Sequence, residues 1–178
     1  VSSPIGKELD SLAAVVTFGV APSAMVFTLL STQNYPASLT AVSEYIPYLA
    51  FVMAAFSALR LAKFNLDERQ TTSFIGLPTP ANALFWGSLI IVGESFLSSS
   101  IYNVAAVIVL VFIMSYLLVA EIPMFALKFK SWGWKGNEVK YIFLITCIPL
   151  LALLKLSGFA AIIAWYVVLS AITKKKSS

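Results

Sequence analysis

Charged side chains are rare in this sequence, and four of them lie on or at the end of long apolar stretches: Asp10, Arg60, Lys63 and Glu94. An ionisable group at the centre of a bilayer costs at least about 2.5 kcal/mol, so these positions are candidate functional residues. Histidine is absent, and with it the commonest general base and metal ligand. Any chemistry therefore depends on carboxylates and on basic groups. Glu94 follows Gly93 near the end of its stretch, where an interfacial position is the simplest interpretation.

Asp10 belongs to a short pattern in which Gly6, Asp10 and Ala14 recur at steps of four residues. On a helix this spacing places all three on one stripe. A small residue and a carboxylate on that stripe would let a divalent cation and a phosphate approach the helix closely. A capping or interfacial carboxylate is the competing interpretation of Asp10.

Arg60 and Lys63 are three residues apart and are expected to share a helix face. Both come at the end of an apolar stretch, so they either bind an anion or simply extend their charged ends towards water. Together with Asp10, they predict that charged groups of both signs meet at one face of a membrane.

The composition excludes most classes of soluble protein. Hydrophobic residues make up 60% and charged residues 11% of the 178 positions, and the mean hydropathy is +0.90, whereas soluble domains are roughly 45–50% apolar and 25% charged. A span needs about 20 apolar residues, so the chain has room for about six spans and little else. We predict an all-α fold, a polytopic transmembrane helical bundle, with residues 1–178 as a single integral-membrane domain. Cys147 is the single cysteine, so no intramolecular disulfide forms.

Six apolar runs are the candidate spans. The first four are approximately Leu9–Leu30, Tyr45–Leu61, Pro80–Leu97 and Ile101–Ala120. Pro47 lies near the start of the second, and Pro80 suits the first turn of the third. The run Val139–Ile172 is too long for one span and is broken near Lys155, Ser157 and Gly158. It predicts a tight helical hairpin that supplies the fifth and sixth spans.

Basic residues are sorted onto alternate connections between these spans. If the N-terminal end is cytoplasmic, every Lys and Arg except Lys155 falls on the cytoplasmic side: Lys7, Arg60, Lys63, Arg69, Lys128, Lys130, Lys135, Lys140, Lys174, Lys175 and Lys176. This distribution follows the positive-inside rule. The net charge of +4 is therefore interpreted as membrane orientation and contact with anionic lipid. No nucleic-acid partner is expected, because the basic residues are divided among several loops.

Several segments of the sequence resemble a known family. They are Ser3–Ala13 (SPIGKELDSLA), Val16–Pro22 (VTFGVAP), Arg60–Asn65 (RLAKFN), Phe74–Ala81 (FIGLPTPA) and Glu121–Lys128 (EIPMFALK). The first resembles the second half of the CDP-alcohol phosphotransferase signature, which reads Asp-x-x-Asp-Gly-x-x-Ala-Arg, eight residues, then Gly-x-x-x-Asp-x-x-x-Asp. The RLAKFN and GLPTPA motifs are similar to those of bacterial phosphatidylserine synthases in particular. The resemblance covers nearly the whole chain.

The resemblance implies a role for each matched position. Gly6 matches the glycine of the second half, and Asp10 matches its third acidic residue, a ligand of the family's divalent metal, Mg²⁺ or Mn²⁺. Ala14 stands where the family has its fourth aspartate, a metal-site residue and general base, and alanine can do neither. Loss of a positioned base typically costs 10²–10⁴-fold in rate. The resemblance places the first half of the motif upstream of Val1. The N-terminal spans of the family fold are therefore expected to be missing here, and the chain as written is expected to be impaired.

Substrate contacts are expected from two further segments. Arg60 and Lys63 are predicted to hold phosphate or carboxylate groups, and Asn65 to give a polar contact. The loop from Gly76 to Pro80, with Pro78 between them, is predicted to shape the serine or head-group pocket, since glycine permits close backbone approach. A rigid turn into the third span is the alternative interpretation of this loop.

The resemblance implies phospholipid biosynthesis: the hydroxyl of L-serine attacks CDP-diacylglycerol, giving phosphatidylserine and CMP. It also implies a homodimer in a bacterial inner membrane, surrounded by membrane lipid and with its active face cytoplasmic. Small residues that would permit close helix contact, either between subunits or equally within one chain, are Ala54, Ala55, Ser57 and Ala58. The alternatives are a non-catalytic CDP-lipid-binding pseudoenzyme, a small membrane transporter, or a sister phosphotransferase that uses another alcohol.

Overall fold

Helices account for most of the computed structural model, which describes residues 3–66, 74–97, 99–125, 127, 129, 132–134 and 136–176. Over these residues the α-helices are α1 (Pro4–Val15), α2 (Ala21–Ser31), α3 (Thr40–Ser43), α4 (Val52–Leu66), α5 (Thr79–Leu97), α6 (Ile101–Val119), α7 (Glu138–Leu154) and α8 (Gly158–Lys176). Strands β1 (Phe74–Ile75) and β2 (Pro123–Met124) form one short antiparallel ladder, with Phe74 opposite Met124. The predicted all-α class is confirmed.

The first span is a single helical rod from Pro4 to Ser31. Ser3 caps it by accepting a hydrogen bond from the Gly6 amide at 3.1 Å, and a π-helical segment, Val16–Val20, joins α1 to α2. The rod begins earlier than the predicted start at Leu9, because a capped and exposed first turn tolerates polar residues that a search for apolar runs leaves out. Within α1, all of whose residues are described, no side chain is buried.

The π-helical segment brings the first rod against α4 at very short range. A Cβ atom added to Gly19 would lie 2.9 Å from Ser57 Cβ and 3.5 Å from Ala54 Cα. The Ser23 hydroxyl donates to the Gly19 carbonyl at 2.8 Å, so its hydrogen bond stays within its own helix. Two of the small residues that would permit helix contact, Ala54 and Ser57, therefore serve packing within the chain.

The second span begins with a 3-10 segment, Ile46–Phe51, that carries Pro47 in its first turn and continues into α4. Phe27 of α2 packs edge-on against Tyr48, with ring centroids 5.1 Å apart, and also contacts Phe51. The predicted position of Pro47 near the start of this span is confirmed. The helix continues through Leu66, beyond the predicted end at Leu61, so Arg60 and Lys63 lie within it.

The last apolar run folds as the predicted hairpin. A 3-10 turn, Lys155–Ser157, separates α7 from α8, and Lys155 adopts a positive φ of 51°. A Cβ atom on Gly158 would lie 2.9 Å from the Leu150 carbonyl oxygen, so glycine allows the second arm to start against the first. The Trp165 indole donates to the Thr146 hydroxyl at 3.0 Å and links the two arms.

Four stretches of helix within the described residues are long and apolar enough to cross a membrane: Pro4–Ser31, Ile46–Leu66, Ile101–Val119 and Glu138–Thr173. The last of these contains both arms of the hairpin, and α5 is a further helix of 19 residues. The prediction of about six spans is therefore supported only approximately. Large apolar side chains remain exposed along the helices, among them Ile91, Tyr102, Ile148 and Leu153, as expected where lipid is the solvent. The protein is an integral membrane protein.

Gly76 joins β1 to the start of α5 in a conformation that favours glycine. Its φ is +76°, its amide donates to the Ile122 carbonyl at 2.9 Å, and the next amide, of Leu77, donates to the Leu117 carbonyl at 2.8 Å. A Cβ atom at this position would lie 2.5 Å from the Leu118 carbonyl oxygen. Two separate constraints, backbone conformation and lack of space, therefore favour glycine here.

Gly76→Ala should lower the stability of the fold by at least about 2 kcal/mol, because left-handed backbone costs roughly 1–2 kcal/mol without glycine and a steric clash adds to it. The measurement is thermal unfolding of the purified protein in detergent micelles. Gly136→Ala is the matched control, since Gly136 also has a positive φ (84°) but a Cβ there would have no heavy atom within 4 Å. Equal losses in the two variants would contradict a role for close backbone approach.

Candidate functional site

Two hydrogen bonds join the start of α1 to the end of α4. The Lys7 ammonium donates to the Asn65 carbonyl at 3.0 Å, and the Asn65 side-chain amide donates to the Ser11 hydroxyl at 2.9 Å. Asp10 is the neighbour of Ser11, so these bonds place Asp10 at the same end of the bundle as the predicted cations of α4. Asn65 was expected to contact substrate, but in the structure its amide nitrogen bonds to Ser11 and helps to hold α1 against α4.

Two of the three residues on the stripe predicted for α1 are exposed. Gly6 and Asp10 are exposed and Ala14 is half-buried. No group of three or more His, Cys, Asp or Glu side chains within the described part of the chain is arranged to hold a metal ion. Asp10 offers a carboxylate, whereas the methyl group of Ala14 offers no ligand atom. The described residues alone therefore do not make a complete metal site.

Arg60 and Lys63 differ sharply in their surroundings, although they are on the same helix. Arg60 is only 6% exposed, and its Nε donates to the Leu77 carbonyl at 2.6 Å. Its Cζ lies 5.8 Å from the centroid of the Phe64 ring, within the range of a cation–π contact. Lys63 is exposed. The two cations that were predicted to share a helix face therefore differ in burial, since Arg60 is enclosed by the protein and Lys63 is not.

The loop from Gly76 to Pro80 is packed into the bundle. Leu77 and Thr79 are almost completely buried, Pro78 is half-buried and Pro80 is exposed at the start of α5. The close approach that Gly76 permits is to the backbone carbonyls at the end of α6. These contacts agree with the alternative interpretation of the loop as a rigid turn into the third span. Of the loop residues predicted to shape the head-group pocket, Pro78 and Pro80 are the ones that keep accessible surface.

Three of the segments that resemble the family meet at this end of the bundle. Arg60 of RLAKFN bonds to Leu77 of FIGLPTPA, and the Gly76 amide bonds to Ile122 of EIPMFALK. Ala126 and Lys128 of the last segment, like Arg69, Lys130 and Lys135, lie outside the described residues. The sequence did not indicate that the Leu77 carbonyl and the Ser11 hydroxyl would be the partners of Arg60 and Asn65, since neither type of group stands out in a sequence.

Tyr166 was also missed by the sequence interpretation. It lies on α8, and its hydroxyl donates to the Phe125 carbonyl at 2.9 Å. The one available signal was a phenol on an apolar span, where a hydroxyl group normally finds a hydrogen-bond partner.

The sequence is similar to curated proteins whose names describe one kind of reaction. CDP-diacylglycerol–serine O-phosphatidyltransferase of Bacillus subtilis is 39% identical over 79 residues, which are 44% of this chain and 40% of that protein. The protein of the same name from Methanocaldococcus jannaschii is 36% identical over 99 residues, or 56% of this chain and 43% of that protein. Archaetidylserine synthase of Methanothermobacter thermautotrophicus is 29% identical over 113 residues, 62% of this chain and 44% of that protein.

Similarity to these proteins supports an assignment to the CDP-alcohol phosphatidyltransferase family, which the sequence motifs also predict. No family model matches it, and it spans less than half the length of the curated relatives it matches. The relatives' names bear out neither the expected impairment nor the alternatives of a pseudoenzyme, a transporter or a sister enzyme.

Arg60→Met should destabilise the fold by about 1–3 kcal/mol, because it leaves the buried Leu77 carbonyl without its donor. Lys63→Met is the matched control on the same helix, and as an exposed substitution it should change stability by no more than about 0.5 kcal/mol. Thermal unfolding of both variants in detergent micelles tests the difference. Similar losses in the two variants would contradict the structural role of Arg60.

Proposed function

We propose that the protein transfers a phosphatidyl group from CDP-diacylglycerol to L-serine, giving phosphatidylserine and CMP. The observation that carries the proposal is the meeting of RLAKFN, FIGLPTPA and EIPMFALK at one end of the bundle. The chain is also 39% identical over 79 residues and 36% identical over 99 residues to two proteins named for this reaction. The serine hydroxyl oxygen forms a bond to the β-phosphorus while the bond from that phosphorus to CMP breaks. The hydroxyl proton passes to a base, a role that Ala14 has no group to perform.

Arg60 and Lys63 are proposed to bind the anionic groups of the substrates. Lys63 is exposed, so its ammonium is accessible to a phosphate or a carboxylate. The Nε of Arg60 is engaged by Leu77, which leaves the outer nitrogens of the guanidinium for a ligand. A guanidinium held in this way is oriented before the substrate arrives, and pre-organised charge is an effective form of electrostatic catalysis.

The remaining predicted contacts are proposed to surround the head group. Pro78 and Pro80 keep accessible surface, whereas Gly76 allows the loop that carries them to pack against α6. Gly6 lies on the exposed stripe of Asp10, and the side-chain oxygen of Asn65 is the polar atom that its bond to Ser11 leaves available. These residues provide a polar site beside the membrane rather than within it.

An apolar groove next to the loop is proposed to accommodate lipid. It has a volume of about 490 Å³, begins at Pro80 and continues along α5 past Leu84 and Ile91 to Phe159. Its continuity with the head-group loop lets an acyl chain remain in the bilayer while the CDP group reaches the polar end.

A divalent metal, Mg²⁺ or Mn²⁺, is proposed as cofactor, with the Asp10 carboxylate as one of its ligands. When bound, such an ion neutralises charge that develops on phosphate oxygens. Exposure of Asp10 leaves its carboxylate accessible to such an ion.

The polar end of the bundle is proposed to face the cytoplasm, in the inner membrane of a bacterium. Lys7, Arg60 and Lys63 are at this end. Lys155 lies in the turn between α7 and α8, next to Leu156, and Leu156 lines the part of the groove farthest from Pro80 together with Ile91. Lys155 is therefore placed at the opposite end of the bundle.

We also propose a homodimer, with Ala55 and Ala58 available for helix contact because both are exposed on α4.

Protein expressed from the complete gene should release CMP from CDP-diacylglycerol only when L-serine is present. The assay is CMP release in mixed micelles with Mg²⁺ or Mn²⁺, together with incorporation of labelled serine into lipid. L-alanine is the control acceptor, because it lacks the attacking hydroxyl and should give no CMP. Release that depends on glycerol phosphate or inositol instead would overturn the choice of serine.

Asp10→Asn should lower activity by at least roughly 100-fold at saturating Mn²⁺, since even the partners of metal ligands are typically worth 10–100-fold. Glu8→Gln is the control, because it removes another exposed carboxylate from the same helix and should leave activity within about twofold.

Ala14→Asp should reduce the Mn²⁺ concentration for half-maximal activity, because residues four apart share a helix face, while Ala13→Asp should not. Equal effects at positions 13 and 14 would argue against a metal beside Asp10.

A further inference from the structure

Tyr166 is a buried phenol in the middle of α8, outside every segment that resembles the family. It is 8% exposed, and its hydroxyl donates to the Phe125 carbonyl at 2.9 Å. Its ring meets the Phe125 ring edge-on, with centroids 4.8 Å apart, and contacts the Phe143 ring at 5.8 Å. Tyr166 therefore holds both the backbone and the side chain of Phe125.

Phe125 directly follows β2, so this contact acts on the pairing of the two strands. β2 pairs with β1 through Pro123 and Met124, and the Ile122 carbonyl accepts the amide of Gly76. Strands of two residues are too short to be stable alone, because even an isolated hairpin is marginal in water. Their pairing depends on the elements that hold each strand from outside.

Arg60 holds the other strand from α4. It bonds to Leu77, two residues beyond β1. A continuous set of contacts thus leads from the Tyr166 hydroxyl through Phe125, β2 and β1 to Leu77 and the Arg60 guanidinium.

We propose that Tyr166 is a positioning residue for the transfer site. Its hydroxyl keeps β2 paired with β1, which keeps the Gly76–Pro80 loop and Arg60 in the arrangement that binds L-serine. The inference rests on the proposed function and deepens it by adding a residue of α8 that does not touch substrate. A residue that only filled the core would act through its ring, which phenylalanine retains, so Tyr166→Phe isolates the hydroxyl.

Amide hydrogen exchange tests the contact without any need for activity. In lipid nanodiscs, Tyr166→Phe should speed exchange at least tenfold in peptides covering residues 74–80 and 121–125, and leave α7 unchanged. Tyr116→Phe is the matched control, because Tyr116 is 65% exposed on α6. Unchanged exchange in Tyr166→Phe would overturn the proposal whether or not the protein is active.

Steady-state kinetics test whether the contact positions the site. Tyr166→Phe should raise KM for L-serine about five- to tenfold and change kcat less than threefold, and it should lower the unfolding temperature modestly because the Phe125 carbonyl loses its donor. A lower unfolding temperature with unchanged KM would indicate a merely structural role and overturn the proposal. If the unmodified protein shows no serine-dependent activity, the proposed function fails, while the exchange experiment still decides whether Tyr166 holds the strands.

Discussion

Burial of the Arg60 guanidinium is the constraint on which the polar end of this bundle depends. Burying a cation in an apolar interior is costly unless its donors are paired, and here the Leu77 carbonyl pairs with one of them, Nε, at 2.6 Å. That carbonyl is available because Gly76 turns the chain against the end of α6. A single charge on α4 therefore ties together segments that are far apart in the sequence.

The first helix is held in a different way, by few contacts and close packing. Gly19 meets Ser57 with almost no space between the backbones, and nearer the end of the bundle Lys7 and Ser11 bond to Asn65. Asp10, which lies between Lys7 and Ser11 in the sequence, stays exposed. These contacts fix the rotation of the helix, while the Asp10 carboxylate stays accessible for the metal-binding role proposed for it.

Local features were the most predictable part of the fold. The hairpin followed from Lys155, Ser157 and Gly158 in a run too long for one span, and the start of the second span followed from Pro47. Helix ends were less predictable: the first helix begins at Pro4 and α4 continues to Leu66, because capped and charged ends lower hydropathy without breaking a helix.

The sequence by itself determined the membrane class, the hairpin and the segments that resemble the family, because hydropathy and motif spacing are written along the chain. Only the tertiary structure decided that Arg60 is buried while Lys63 is exposed, that Asn65 bonds to Ser11, and that Tyr166 contacts the segment after β2. The physical reason is that burial and hydrogen-bond partners depend on elements distant in sequence. A backbone carbonyl such as that of Leu77 becomes a specific partner only when folding brings a donor to it.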